Sequence, residues 1–100
     1  MLHTVNKSPF EKNSLETCLS LAQAGSDILL IEDGVYAAVA GSAVESKLKD
    51  AIGKHSVFAL GPDLSARGIS DDKLIDGIKV VGYDGFVELA AKNDRVQSWL

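Results

Sequence analysis

The thiol of Cys18, the single cysteine of the chain, is the only side chain in this sequence suited to carrying a transferred sulfur atom. A reactive cysteine needs its thiolate, which a helix N-terminus, a neighbouring cation or partial exposure stabilises. Cys18 instead belongs to an apolar stripe at the spacing of one helix face, made of Leu15, Cys18, Leu19 and Ala22. No Lys or Arg lies within one turn of it. The pattern favours a small buried side chain, and sulfur chemistry on Cys18 remains the alternative.

Metal and nucleotide chemistry are disfavoured by the residues available. One cysteine and two histidines, His3 and His55, are too few and too far apart in sequence to predict a tetrahedral metal cage. The loop at residues 6–10 follows a predicted strand and contains Lys and Ser, but it has a proline and no glycine. A phosphate cradle needs free backbone N–H groups and closely approaching glycines. We therefore expect no metal and no cofactor.

Four residues are candidates for binding a partner. Asp33 and Gly34 follow the most apolar stretch of the sequence, and Tyr36 comes two residues later. Trp99 lies near the end, with little sequence left to cover it. Exposed aromatic residues are typical of interfaces, although core packing is at least as common, and Asp-Gly pairs usually form turns. Asp33, Gly34, Tyr36 and Trp99 are predicted to contact a partner.

Composition limits the class of protein further. The 100 residues are 46% hydrophobic, which predicts one folded domain over residues 1–100 rather than disorder. A net charge of −4 argues against direct binding of nucleic acid, because neutralising phosphates requires a basic surface. The sequence has neither a membrane-length apolar run nor a secretion signal, so we expect a cytoplasmic protein without membrane contact.

Short apolar strands alternate with helical stretches, which is typical of a parallel sheet covered on both faces. Strands are predicted at 1–5, 28–31, 57–60 and 78–82, and helices at 14–22, 35–40, 44–52 and 86–91. The tail at 96–100 could be an edge strand or could dock on a partner. These elements predict a small flavodoxin-like three-layer α/β fold with a four- to five-stranded, mainly parallel sheet, ordered 2-1-3-4.

Four segments spread over nearly the whole chain carry a family resemblance. They are LHTVNKSPF at 2–10, LLIEDGVYAA at 29–38, ALGPDLSARG at 59–68 and YDGFV at 83–87. Together with Trp99, their joint occurrence resembles the DsrH/TusB family of sulfur-relay proteins. The resemblance implies the same small α/β fold that the pattern of elements predicts.

The resemblance also implies a function. By this resemblance, the chain is expected to be one subunit of a heterohexamer. The heterohexamer contains three homologous kinds of chain, named DsrE, DsrF and DsrH in one setting and TusD, TusC and TusB in the other. That complex takes persulfide sulfur and passes it to a small carrier of the DsrC or TusE type. The relay serves either thiolation of the tRNA wobble uridine or oxidation of stored sulfur. The main persulfide cysteine is expected on the DsrE or TusD partner.

The resemblance gives Cys18 a specific question. DsrH chains have a cysteine at the matching place in the first helix as a proposed second redox-active thiol, whereas TusB chains can lack it. Its presence makes this chain resemble DsrH more closely, and Cys18 is the candidate persulfide carrier.

An accessory subunit is the leading hypothesis, and whether the chain is itself an enzyme stays open. A stand-alone flavodoxin-like module binding a small molecule and a purely structural interaction module are the alternatives. Purified alone, the chain is expected to self-associate.

Overall fold

The computed structural model describes residues 1–100 and shows a sheet of five parallel strands with helices on both faces. The strands are β1 Leu2–Val5, β2 Asp27–Leu30, β3 Ser56–Leu60, β4 Lys79–Val81 and β5 Val96–Trp99. The α-helices are α1 Ser14–Leu21, α2 Glu45–Ile52, α3 Gly61–Ala66 and α4 Tyr83–Lys92. Two 3-10 helices span Glu32–Ala38 and Asp71–Lys73. The predicted α/β class is confirmed, and the tail is an edge strand.

The strand order is β4-β3-β2-β1-β5, so the predicted order 2-1-3-4 is wrong. The prediction placed a reversal of direction after β2, with β3 on the other side of β1. Instead, the chain adds β2, β3 and β4 successively on one side, and only the connection through α4 returns to place β5 on the other side of β1. Because parallel crossovers are right-handed, this single reversal puts α4 on the face opposite the other helices. The switch in strand order therefore lies between β1 and β5.

The two faces of the sheet are covered unequally. The face under α1, α2 and the 3-10 helix Glu32–Ala38 contains a cluster of 14 buried apolar residues, including Cys18. The α4 face contains a cluster of only three, Leu2, Leu29 and Leu89. All four residues of β2 are buried, as its continuous apolar run predicts for a strand covered on both faces. None of the helices is long and apolar enough to cross a membrane.

The apolar stripe of the first helix packs as predicted. Leu15 and Cys18 are buried in α1 and Leu19 packs against the same cluster. The helix ends at Leu21, and the chain then turns through Gly25, whose φ of 86° is in the left-handed region that glycine adopts easily. This turn leads directly into β2, and α1 packs over β1 and β5.

Candidate functional site

The edge where the parallel strands end contains a cluster of charged residues, Glu32, Asp33, Asp63 and Arg67, which we call the carboxyl-end cluster. Glu32 follows β2 with a φ of 49°, unusual for a residue other than glycine. Its backbone N–H donates a 2.6 Å hydrogen bond to Asp63 Oδ2 in α3. This contact holds the strained turn against the end of the neighbouring strand.

A guanidinium group joins the two halves of the carboxyl-end cluster. Arg67 Nη2 and Nε lie 2.8 and 3.0 Å from Asp33 Oδ1. Its Nη1 also donates to the backbone carbonyl of Asp63 at 3.1 Å. Sequence reasoning did not pair Arg67 with Asp33. The signal was present, because both residues follow neighbouring strands, whose carboxyl ends meet at one edge.

Gly34 brings the 3-10 helix Glu32–Ala38 against the end of β1. A Cβ atom at this position would lie 2.1 Å from the carbonyl oxygen of Val5, so no larger residue fits without a backbone shift. The Gly34 N–H donates to the carbonyl of Ile31 at 2.8 Å, which begins the 3-10 helix immediately after the strand. The helix therefore starts before the predicted residue 35, and Asp33 and Gly34 lie within it rather than in a separating turn.

The two aromatic candidates have different surroundings. Tyr36 is 37% exposed on the 3-10 helix that also carries Asp33 and Gly34. Trp99 is partly buried, and its Nε1 donates a 3.0 Å hydrogen bond to Nδ1 of His3. The two rings stack at 6.2 Å with an interplanar angle of 29°. Trp99 ends β5 beside Val5, at the same sheet edge as the carboxyl-end cluster, and its ring anchors β5 to β1.

Cys18 lies away from this edge, inside the larger apolar cluster. Its exposure is 0%, and burial raises the pKa of the thiol to about 12. No cation lowers that pKa, as the sequence predicts. Because the thiolate is the nucleophile, only a minute fraction of Cys18 is reactive at neutral pH in this conformation. The prediction of a buried helical stripe is confirmed, and the role of Cys18 in sulfur transfer remains a prediction.

Both histidines are buried and neutral at pH 7. Burial lowers the pKa of His3, helped by the N-terminal amine and by His55. Burial also lowers the pKa of His55, together with the charge of Lys54. Neutral His3 can accept the hydrogen bond from Trp99 at Nδ1, whereas a protonated ring would have no acceptor left. Sequence reasoning missed this pair, because its members are 96 positions apart.

No deep cavity adjoins Cys18 or the carboxyl-end cluster. The largest cavity, about 390 Å³, opens at the amino ends of the strands between His3, Gln23 and Arg95. Another of about 250 Å³ lies beside the loop after β1, next to Phe10 and Val44. The residues of the carboxyl-end cluster form an ionic surface instead, which suits contact with another protein better than enclosure of a small molecule.

Comparison with known proteins decides the family. A family model described as "DsrH like protein" matches residues 7–96. The chain belongs to the DsrH-like family. It is 42% identical over 100 residues to Protein TusB of Erwinia tasmaniensis, covering 99% of this chain and all of that one. It is also 42% identical over 99 residues to Protein TusB of Serratia proteamaculans, with the same coverage.

Solved structures with the same fold agree with this DsrH-like architecture. The ychN protein from E. coli superposes with a TM-score of 0.84 at 21% identity, over 97% of both chains. A protein of unknown function from Methanobacterium thermoautotrophicum, MTH1491, has a TM-score of 0.80 at 16% identity, over 97% of this chain and 96% of that one. At such identities the likeness shows the fold. The predicted DsrH/TusB family is confirmed, and membership supports interpreting the chain as a sulfur-relay subunit of the TusBCD/DsrEFH type.

Proposed function

We propose that this DsrH-like chain is an accessory subunit of a cytoplasmic sulfur-relay complex, in which it binds two homologous chains. The complex accepts persulfide sulfur and passes it to a small carrier protein of the DsrC or TusE type. The observation that carries an accessory role is the complete burial of Cys18 with a pKa of about 12. A subunit whose only thiol is protonated in the core contributes a binding surface, and the principal persulfide belongs to a partner.

The surface proposed for partner binding lies on the 3-10 helix that carries Asp33, Gly34 and Tyr36. The side chain of Asp33 is 54% exposed despite its contact with Arg67, and Tyr36 presents its ring beside it. Gly34 sets the position of this helix through its close approach to β1. Trp99, at the same edge, supports the surface by holding β5 in place. An ionic group next to an aromatic ring is a common composition for a protein interface.

We place the chain in tRNA thiolation rather than sulfur oxidation. The support is the whole-length similarity to two TusB proteins at 42% identity. The net charge of −4 fits a subunit that contacts a protein carrier and leaves the RNA to other components. Oxidation of stored sulfur remains the alternative for the same relay, and the Cys18 position, shared with the DsrH branch, is the feature that favours it.

Reconstitution tests the accessory role. The chain is co-purified with its two homologous partners, and sulfur delivery from a persulfide donor to the carrier is timed. We expect the complex to form and the Cys18→Ala variant to deliver sulfur at the wild-type rate. Omission of the chain should abolish assembly or delivery. A complex that forms normally with Cys18→Ala but no longer delivers sulfur would show that Cys18 carries the sulfur itself.

The interface is tested in the same preparation. Asp33→Lys reverses the exposed charge, and Tyr36→Ala removes the ring. We expect both variants to fold normally and to elute separately from the partner chains on a sizing column. Glu88→Lys is the matched control, because it reverses an exposed charge on α4, away from this surface. Co-elution of both interface variants with the partners would place the interface elsewhere. A thermal shift with nucleotides or flavins would instead favour a small-molecule module.

A further inference from the structure

The outer edge of β5 has backbone groups that no other part of the chain pairs. The Leu2 N–H donates to the carbonyl of Arg95 at 3.0 Å, and Leu2 is in register with Val96. In a parallel ladder the backbone of alternate residues points to the same neighbour. The backbone of Gln97 therefore faces β1, while the N–H and C=O groups of Val96 and Ser98 face outward. Among these, only the Ser98 carbonyl has a partner, the exposed amide of Gln97 at 3.3 Å.

This edge lacks the usual protection against strand pairing. Exposed edges in soluble proteins are commonly guarded by lysine, proline or a very short strand. The opposite edge follows that rule, because β4 has three residues and includes Lys79. In contrast, β5 has the sequence VQSW, with no charge and no proline, and Val96 and Ser98 are exposed. The asymmetry indicates that β5 is the edge at which a further strand is added.

We propose that β5 pairs antiparallel with β5 of a second copy of this chain, with Gln97 on the two-fold axis. The outward groups favour this register, because residues that exchange both hydrogen bonds lie directly opposite each other, and only this register pairs Val96 and Ser98 entirely within the strand. Val96 then lies opposite Ser98 of the second copy, and Ser98 opposite its Val96. The arrangement satisfies every outward N–H and C=O group of these two residues and joins the two sheets into one.

The side chains favour a second copy as the occupant. In a chain of net charge −4, an uncharged strand can meet its own copy without charge repulsion. The Gln97 amides face each other across the axis, and each has both a donor and an acceptor. The same register sets Arg95 opposite Trp99 of the second copy, a favourable pairing of a guanidinium with an indole ring. The proposal does not depend on the sulfur-relay function.

Proline substitution tests the edge directly. Ser98→Pro removes an outward N–H from each copy and leaves the ladder to β1 intact, whereas Ser98→Ala keeps that N–H. We expect light scattering of the purified chain to show dimers for the wild type and Ser98→Ala. The dimer of Ser98→Pro should be weaker by about tenfold or more. A monomeric wild type at the highest soluble concentration, or a Ser98→Pro dimer of unchanged affinity, would overturn the proposal.

A charge swap on the axis tests the register and does not depend on how well the proline variant folds. Gln97→Lys and Gln97→Glu each place like charges opposite one another, so each homodimer should weaken by up to about fivefold. Mixing the two variants should give a one-to-one heterodimer tighter than either homodimer, while Gln97→Ala remains a dimer. Equal affinities for the two homodimers and the mixture would show that Gln97 does not face itself.

Discussion

The surroundings of Cys18 and the carboxyl-end cluster are opposite in every property that matters for function. Cys18 is fully buried among apolar side chains, and its pKa is raised to about 12. The carboxyl-end cluster is ionic and partly exposed, and it includes a residue with positive φ. The region that could do covalent chemistry is closed, and the region that is open has no nucleophile. The difference supports the proposal that this chain acts by binding, with sulfur carried by a partner.

The largest expected effect on stability concerns the packing of Gly34 beneath the carboxyl-end cluster. Gly34→Ala places a methyl group within 2.1 Å of the Val5 carbonyl oxygen, a rigid backbone atom. We expect the free energy of unfolding to fall by about 3 kcal/mol, measured by urea denaturation. Gly82→Ala is the control, because a Cβ there would meet nothing within 4 Å, and its effect should stay within about 0.5 kcal/mol. Equal stability of the two variants would contradict the close approach.

The burial of the Cys18 thiol is tested by alkaline titration. In the unfolded chain the thiol ionises near its ordinary pKa, whereas in the folded chain the pKa of Cys18 is raised to about 12. The unfolded state therefore loses a proton first, and stability falls as pH rises above the ordinary thiol pKa. Between about pH 8 and 10 we expect the wild type to lose about 1 kcal/mol more than Cys18→Ala, measured by urea denaturation. Parallel curves would mean that the thiol is already accessible.

A second pH effect is expected in acid, at the contact that anchors β5. The pKa of His3 is lowered by burial, the N-terminal amine and His55, so the unfolded state binds a proton first. Stability should therefore fall as pH drops below about 6.5, by at most about 1.4 kcal/mol per pH unit for each histidine. His3→Gln should flatten this loss, and His55→Gln gives the contribution of the second ring. An unchanged acid slope in both variants would rule out titration of the buried histidines.

The smallest effect on stability is expected in the carboxyl-end cluster itself. The Asp33 side chain is 54% exposed and that of Arg67 21%, so water screens much of their attraction. A double-mutant cycle with Asp33→Ala and Arg67→Ala should give a coupling energy of about 0.5 kcal/mol. A coupling of several kcal/mol would show that the pair is a structural element of the fold. The two charges would then be required for folding and not for binding a partner.

The fold class was predictable because its signals are local. The continuous apolar run at β2 and the stripe through Leu15 and Cys18 identified their elements and their buried faces from sequence alone. Strand order was not predictable in the same way. The sequence pattern of a strand–helix–strand unit is the same whichever side of the sheet the next strand joins. The reversal through α4 depends instead on which helices cover each face of the whole sheet.

The candidate site was predicted only where neighbouring residues define it. Asp33, Gly34 and Tyr36 were found because they follow a strand together. The contacts around them, however, join residues that are far apart in the sequence. The pair of Arg67 with Asp33 joins residues 34 positions apart, and that of Trp99 with His3 joins residues 96 apart. No periodicity records such contacts. The close approach of Gly34 to Val5 likewise exists only once β1 and β2 are paired.

Intact mass spectrometry after persulfide loading tests the central claim most directly. The assembled complex is treated with a persulfide donor, and the mass of each subunit is then measured. We expect one added sulfur atom on a partner chain and an unchanged mass for this chain, because its protonated, buried Cys18 cannot attack the donor. The unfolded chain treated in the same way should gain the sulfur. A sulfur atom on the native wild-type chain, absent from Cys18→Ala, would contradict the account.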